Sequence, residues 1–226
     1  MKVLVVAAHP DDEVLGCGAT MARMAAEGHE VHIAILAEGI TSRYRRREEA
    51  DPALLERLHA QSRKAAGILG AKDITLHGLA DNRLDATPIL DVVKIVESLI
   101  EKIVPERVYT HHGGDLNIDH CVVSRAVLTA TRPVSGCPVK EVYFFEVPSS
   151  TDWAFQQFDS SFRANVFVDI SQTLEAKVRA MACYEGESRA FPHPRSAEAL
   201  RATGQRWGSV AGCAAAEAFQ LVRSMV

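Results

Sequence analysis

Little in the 226-residue sequence lends itself to covalent cross-linking. Its five cysteines (Cys17, Cys121, Cys137, Cys183 and Cys213) are an odd number, and no two stand in a C-x-x-C pair. A disulfide framework and a cysteine-based zinc site are both disfavoured, and the cysteines read as small buried apolar residues. No apolar run approaches the roughly 20 residues that span a bilayer, so no membrane insertion is expected. The apolar start at residues 3–8 is shorter than the roughly 7–15 residues of a signal-peptide core. It reads as a strand, and a cytoplasmic location is the expectation. Nor is there an excess of positive charge: 25 Lys+Arg stand against 29 Asp+Glu, a formal net charge of −4. No nucleic-acid partner is expected from that balance. The most basic run, Arg43-Tyr44-Arg45-Arg46-Arg47, is followed at once by Glu48 and Glu49 and reads as a solvated helix start.

What is present is a globular composition, 47% hydrophobic and 24% charged, sufficient for one domain over residues 1–226. Short β-rich apolar runs alternate with longer helical patterns. Strands are expected at residues 3–8, 31–36, 73–77, 107–110 and 141–145, and helices at 15–27, 47–69, 88–103 and 121–131. That alternation predicts an α/β fold: a Rossmann-like, doubly wound, mostly parallel sheet flanked by helices. Beyond residue 150 the pattern loosens into an irregular C-terminal third. There residues 153–161 read as a loop excursion, 165–168 as a short strand, and 171–184, 198–202 and 211–222 as helices.

In open α/β sheets ligands bind beyond the carboxyl ends of the strands, and ionisable residues crowd those positions here. His9-Pro10-Asp11-Asp12-Glu13 follows the first strand, Glu38 and Arg43 the second, His77 and Asp81-Asn82-Arg83 the third. His111-His112-Gly113-Gly114-Asp115-Leu116-Asn117-Ile118-Asp119-His120 follows the fourth. His9 and Asp12, three apart on a tight turn, can face one point. With His120 from the neighbouring loop they make a ligand set suited to Zn2+ or another divalent ion, with positions left for water and substrate. Asp11 is placed to act as general base. The competing reading is that Asp11 and Asp12 cap the helix that follows. Gly16-Cys17-Gly18 begins a dinucleotide fingerprint, but Met21 stands where its third glycine belongs.

Ala8-His9-Pro10-Asp11-Asp12-Glu13 resembles the A-H-P-D-D-E signature of the LmbE/PIG-L N-deacetylases. Asp115-x-Asn117-x-Asp119-His120 is similar to that family's D-x-H-x-D-H segment, and Ala215-Ala216-Glu217-Ala218-Phe219 to its C-terminal helix. The resemblance spans nearly the whole chain. It implies metal ligands at His9, Asp12 and His120, a general base at Asp11, and at Asp119 an acid that steadies His120. It implies sugar-hydroxyl contacts from Arg43, Asp81 and Asn82. Asn117 departs from the family's histidine: it can donate a hydrogen bond to the developing oxyanion, as can His193, but cannot transfer a proton at neutral pH. Either Asp11 alone shuttles the proton or His193, in Phe191-Pro192-His193-Pro194, takes the role. His111, His112, Asp115, Glu38 and Trp153 are further candidates for shaping the pocket.

The expected activity is zinc-dependent removal of an N-acetyl group from a small-molecule amino sugar, of N-acetylglucosamine type, or its conjugate. The alternatives are a zinc amidase acting on thiol–sugar conjugates or acylated natural products, and a non-catalytic sugar-binding protein. Relatives in the family form homo-oligomers, trimers or hexamers, and the resemblance extends that expectation here.

Overall fold

Residues 1–158 and 160–226 are described by a computed structural model. The first strand, β1 (Lys2–Ala7), lies inside a sheet whose two faces are both covered. Val3, Val5 and Ala7 enter a core shared with α1 (Asp12–Ala26), α2 (Pro52–Ile68) and α5 (Leu174–Met181). Leu4 and Val6 enter a second core with α3 (Ile89–Ile103) and α4 (Ile118–Ala130). Burial on both faces is the reason the run is continuously apolar rather than alternating.

Among the described residues the sheet has seven strands. The others are β2 (Glu30–Ala37), β3 (Asp73–Leu79), β4 (Arg107–His111), β5 (Glu141–Phe145), β6 (Val166–Asp169) and β7 (Ala216–Ser224). Their order is β3-β2-β1-β4-β5-β7-β6. The first five run parallel, and β7 runs antiparallel to both β5 and β6. The chain winds outward from β1 to β3, then returns to place β4 on the other side of β1. The two connections diverge there and open a crevice at the carboxyl ends of β1 and β4, the switch point where such sheets bind ligands.

Three expectations are corrected. The stretch 47–69 is not one helix: Arg47–Glu49 forms a single 3-10 turn, and α2 starts afresh at Pro52. Proline excludes the residue before it from helical backbone. Asp51 is accordingly extended (φ −67°, ψ 119°), and its side chain accepts from the Ala53 N–H as the cap. The helix expected at 198–202 runs much further, as α6 (Ala197–Ala211), capped by the Ser196 side chain. The largest correction is at residues 211–222, where the expected helix is the strand β7. Gly212, at φ 78°, ends α6. The chain then doubles back so closely that a Cβ on Gly208 would stand 2.7 Å from the Ala215 Cα. The alanines that suggest a helix are small because β7 threads between two strands in a covered part of the sheet. Of the 153–161 excursion, Asp152–Ala154 forms a 3-10 turn, and position 159 lies outside the described residues.

Candidate active site

α1 begins immediately after β1, so the intervening turn delivers His9, Asp11 and Asp12 into the crevice. Gly16 lets the helix approach the sheet: a Cβ there would overlap the Phe145 ring of β5. The glycines that resemble half a dinucleotide fingerprint therefore serve packing. Asp11 sits at φ 99° and its side chain makes no cap bond to α1, so the capping reading does not describe it. Its own N–H donates to Glu13 Oε2 at 3.1 Å, and Glu13 Oε1 accepts from the Tyr184 hydroxyl at 2.5 Å. Glu13 thus braces the turn from below. Burial, opposed by the Tyr184 bond, pushes its pKa up to about 7.

Asp12 Oδ2 lies 3.2 Å from His9 Nδ1 and 3.1 Å from His120 Nε2. The candidate ligand atoms of the three residues all fall within 4.8 Å of one another. Neighbouring donors on a tetrahedral ion with bonds of about 2.0–2.1 Å would be about 3.3 Å apart. The opposite nitrogens are backed by carboxylates. His9 Nε2 meets Asp119 Oδ2 at 3.0 Å and Asp81 Oδ1 at 3.3 Å, and His120 Nδ1 lies 3.2 Å from Asp115 Oδ1. A carboxylate behind each imidazole is the arrangement that orients metal-binding histidines, and the donor set fits a divalent ion. His9, Asp81 and Asp119 also cluster, but Asp119 is already engaged by the backbone N–H groups of Asn82 and Leu84.

The charges of the cluster are interlocked. Burial disfavours charge on all of these groups. Even so, Asp119, Asp12 and Asp81 push His9 up to about 10, and Asp12 and Asp115 push His120 up to about 9. Burial would raise Asp12, yet His120 and His9 hold it well below the usual carboxylate range. Asp115, also buried, is brought down to about 2 by His120, Ser150 and Thr151. For Asp11 burial dominates: it raises the carboxyl well above its ordinary value, while Arg195 pulls the other way.

The cluster forms one wall of a cleft of about 480 Å³. Arg43, Asp81, Asn82 and Asn117 line the same cleft, as do Trp153, Glu187 and Arg195. Four of the eight described non-glycine residues at positive φ line it too: Asp11, Ile40, Asn82 and Ser149. Strained backbone gathers at functional sites because the surrounding structure holds it there.

Several sequence-expected residues stand elsewhere than the motif alone implies. Asp119 meets His9, not His120; Asp115 is the acid beside His120. Asn117 caps α4 by accepting from the Asp119 N–H, and its Nδ2 donates to Asn82 Oδ1. His193 is not in the cleft wall; its ring stands edge-on to Trp153 at 5.5 Å, and its Nδ1 accepts from the Arg195 N–H. Arg43 leaves the solvated run to pair with Glu187. Glu38 pairs with Arg47 instead of lining the cleft. His112 donates to the Ser160 carbonyl at 2.6 Å. His111 is fully buried, accepts from the Ala8 N–H and stacks on His120 at 3.9 Å. Arg195 and Glu187 escape sequence reasoning: both lie in the irregular third, where no periodicity or spacing ties them to the first strand.

A doubly wound sheet with two imidazoles and a carboxylate converging at its switch point, and a further carboxylate alongside, suits a single-ion site with open positions. The chain belongs to the family described as PIG-L, GlcNAc-PI de-N-acetylase, which matches residues 4–131, more than half of its length. A protein of Escherichia coli (strain K12) described as the uncharacterized deacetylase YaiS is 30% identical over 153 residues, 66% of this chain and 75% of its own. Among solved structures, N,N'-diacetylchitobiose deacetylase from Pyrococcus horikoshii superposes with a TM-score of 0.78 at 18% identity, covering 98% of this chain and 84% of its own. GalB, the 4-carboxy-2-hydroxymuconate hydratase from Pseudomonas putida KT2440, superposes at 0.77 with 23% identity, over 100% and 97%. The last two likenesses establish the fold alone, and a deacetylase and a hydratase share it.

Proposed function

We propose that the protein is a metal-dependent amide hydrolase that removes the N-acetyl group from an amino sugar or an amino-sugar conjugate. The observation that carries this reading is the convergence of His9 Nδ1, Asp12 Oδ2 and His120 Nε2 in the cleft that also holds the buried carboxylate of Asp11. Membership of a de-N-acetylase family and likeness to a protein described as a deacetylase support it.

His9, Asp12 and His120 would hold the ion, with zinc the choice best suited to two imidazoles and a carboxylate. When bound, it supplies the Lewis acid that polarises an amide carbonyl and acidifies water. Asp11 accepts the proton of the attacking water and returns it to the departing amine. Its Oδ2 is held by Arg195 at 2.7 Å, which leaves Oδ1 for the proton. Burial favours a carboxyl that takes up a proton readily, as a general base that must become an acid requires. Arg43, Asp81 and Asn82 form the part of the cleft that would receive sugar hydroxyls.

Asp11→Asn tests the reading. Asparagine keeps the side-chain shape and tolerates the positive φ, so the variant folds and retains metal while turnover falls by roughly 10²–10⁴-fold. Near-wild-type turnover in a metal-loaded variant would remove Asp11 from the base role.

A further inference from the structure

The residue in direct contact with Asp11 is one that no motif points to. Arg195 Nη1 donates to Asp11 Oδ2 at 2.7 Å and lies 3.3 Å from Glu187 Oε2, while its Nε donates to Ser149 Oγ at 2.8 Å. Glu187 is held in turn by Arg43, across the cleft. The guanidinium is thus held from the loop after β5 through Nε and from the segment before α6 through Nη1, the same nitrogen that meets the Asp11 carboxylate. A planar fork held at several points is a rigid reference, which a flexible ammonium is not.

The alternatives in the neighbourhood are already engaged. Both polar atoms of the Asn117 side chain are bonded, to the Asp119 N–H and to Asn82. His193 faces Trp153 and accepts from Arg195's own N–H. Asp11 itself stands on a turn at φ 99° with no cap bond to hold its side chain. Among the described residues, Arg195 is the one whose side chain fixes which way that carboxylate points.

We propose that Arg195 is a positioning residue for the hydrolysis: it orients Asp11 beside the His9–Asp12–His120 cluster, and Ser149 and Glu187 fix Arg195 for that task. The inference rests on Asp11 acting as the base of an amide hydrolase. It departs from the sequence expectation, in which Asn117 or His193 completes the machinery.

The test uses the full chain and its Arg195→Ala and Arg195→Lys variants. Steady-state kinetics are measured on an N-acetylated sugar that the wild type hydrolyses, with and without added methylguanidinium, and Co2+ affinity is measured by visible absorption. For Arg195→Ala, kcat falls about 10²-fold, the scale of a misplaced reacting group, with KM nearly unchanged. Co2+ affinity stays within about threefold of wild type, because Arg195 touches none of the three ligands. Methylguanidinium restores part of kcat. Arg195→Lys keeps the charge without the fork and recovers less than half of the loss. A rise in KM with kcat intact would overturn the proposal in favour of a substrate contact. A joint loss of kcat and Co2+ affinity would make Arg195 a structural pin, and unchanged kinetics would remove it altogether. A wild type that hydrolyses no N-acetylated sugar defeats the hydrolase reading and this inference with it. An active wild type with an indifferent Arg195→Ala defeats this inference alone.

Discussion

At the scale of single residues, the site is dominated by carboxylates that raise their imidazole neighbours. With Asp119, Asp12 and Asp81 around it, buried His9 reaches about 10, and buried His120, between Asp12 and Asp115, reaches about 9. Both therefore hold the second imidazole proton more tightly than a free histidine does, and a divalent ion must displace it. Metal affinity accordingly rises with pH, and binding near neutral pH releases protons. Calorimetry of zinc binding in buffers of different ionisation enthalpy counts those protons, and none released at pH 7 would contradict the assignment. Gly16 offers a second test, of packing. Gly16→Ala drives a methyl into Phe145 and should cost about 1–3 kcal/mol of stability, visible as a lowered Tm. The positions of His9, Asp11, Asp12 and His120 in one cleft are legible in the sequence because the first three lie on the turn just after β1 and His120 starts the helix that follows β4. Their partners are less so. Asp115 and Asp119 are both plausible supports for His120 by spacing, and only the three-dimensional turn before α4 decides that Asp119 swings to His9. Arg195 lies 184 residues from Asp11 and has no local signal at all.

At the scale of elements, the most informative one is α1, which is broken at Cys17 (φ −146°, ψ 23°). A break leaves backbone donors and acceptors without helical partners, and buried ones must be satisfied otherwise. β7 and α5 do this. Glu217 accepts from the Ala19 and Thr20 N–H groups at 3.1 and 2.7 Å, and Lys177 Nζ donates to the Leu15 carbonyl and to Glu217 Oε1, each at 2.7 Å. The pair is buried, so Lys177→Met strands the Glu217 charge and should destabilise by about 3–5 kcal/mol. Urea denaturation measures it; a loss below about 1 kcal/mol, typical of an exposed pair, would contradict the bracing role. This arrangement also explains why the strand at Ala216–Ser224 is hard to foresee. Ala215-Ala216-Glu217-Ala218-Phe219 has helical composition, but its glutamate is needed inside, at the break in α1, and its alanines are needed small. Composition records neither demand. The central strands β1 and β2, by contrast, announce themselves as largely apolar runs because both their faces are buried.

At the scale of the whole molecule, the order β3-β2-β1-β4-β5-β7-β6 places every residue of the cluster at one crevice. Chains distant in sequence meet there: the turn after β1, the loop after β4, and the segment before α6 that supplies Glu187 and Arg195. The doubly wound half is readable from alternation alone, whereas the last third is shaped by contacts with α1 and the cleft and has no period of its own. Because the same fold also carries a hydratase, architecture does not choose the reaction, and the side chains in the crevice must. The most direct test is therefore acetate and free-amine release by the zinc-loaded protein across N-acetylated substrates. The panel holds monosaccharides, chitin oligomers, nucleotide sugars and thiol–sugar conjugates, with longer acyl chains as controls. The account predicts stoichiometric acetate and amine from at least one class of amino sugar, abolished by Asp11→Asn. Protein that holds its metal in the His9–Asp12–His120 cluster yet releases neither product from any of them would contradict it.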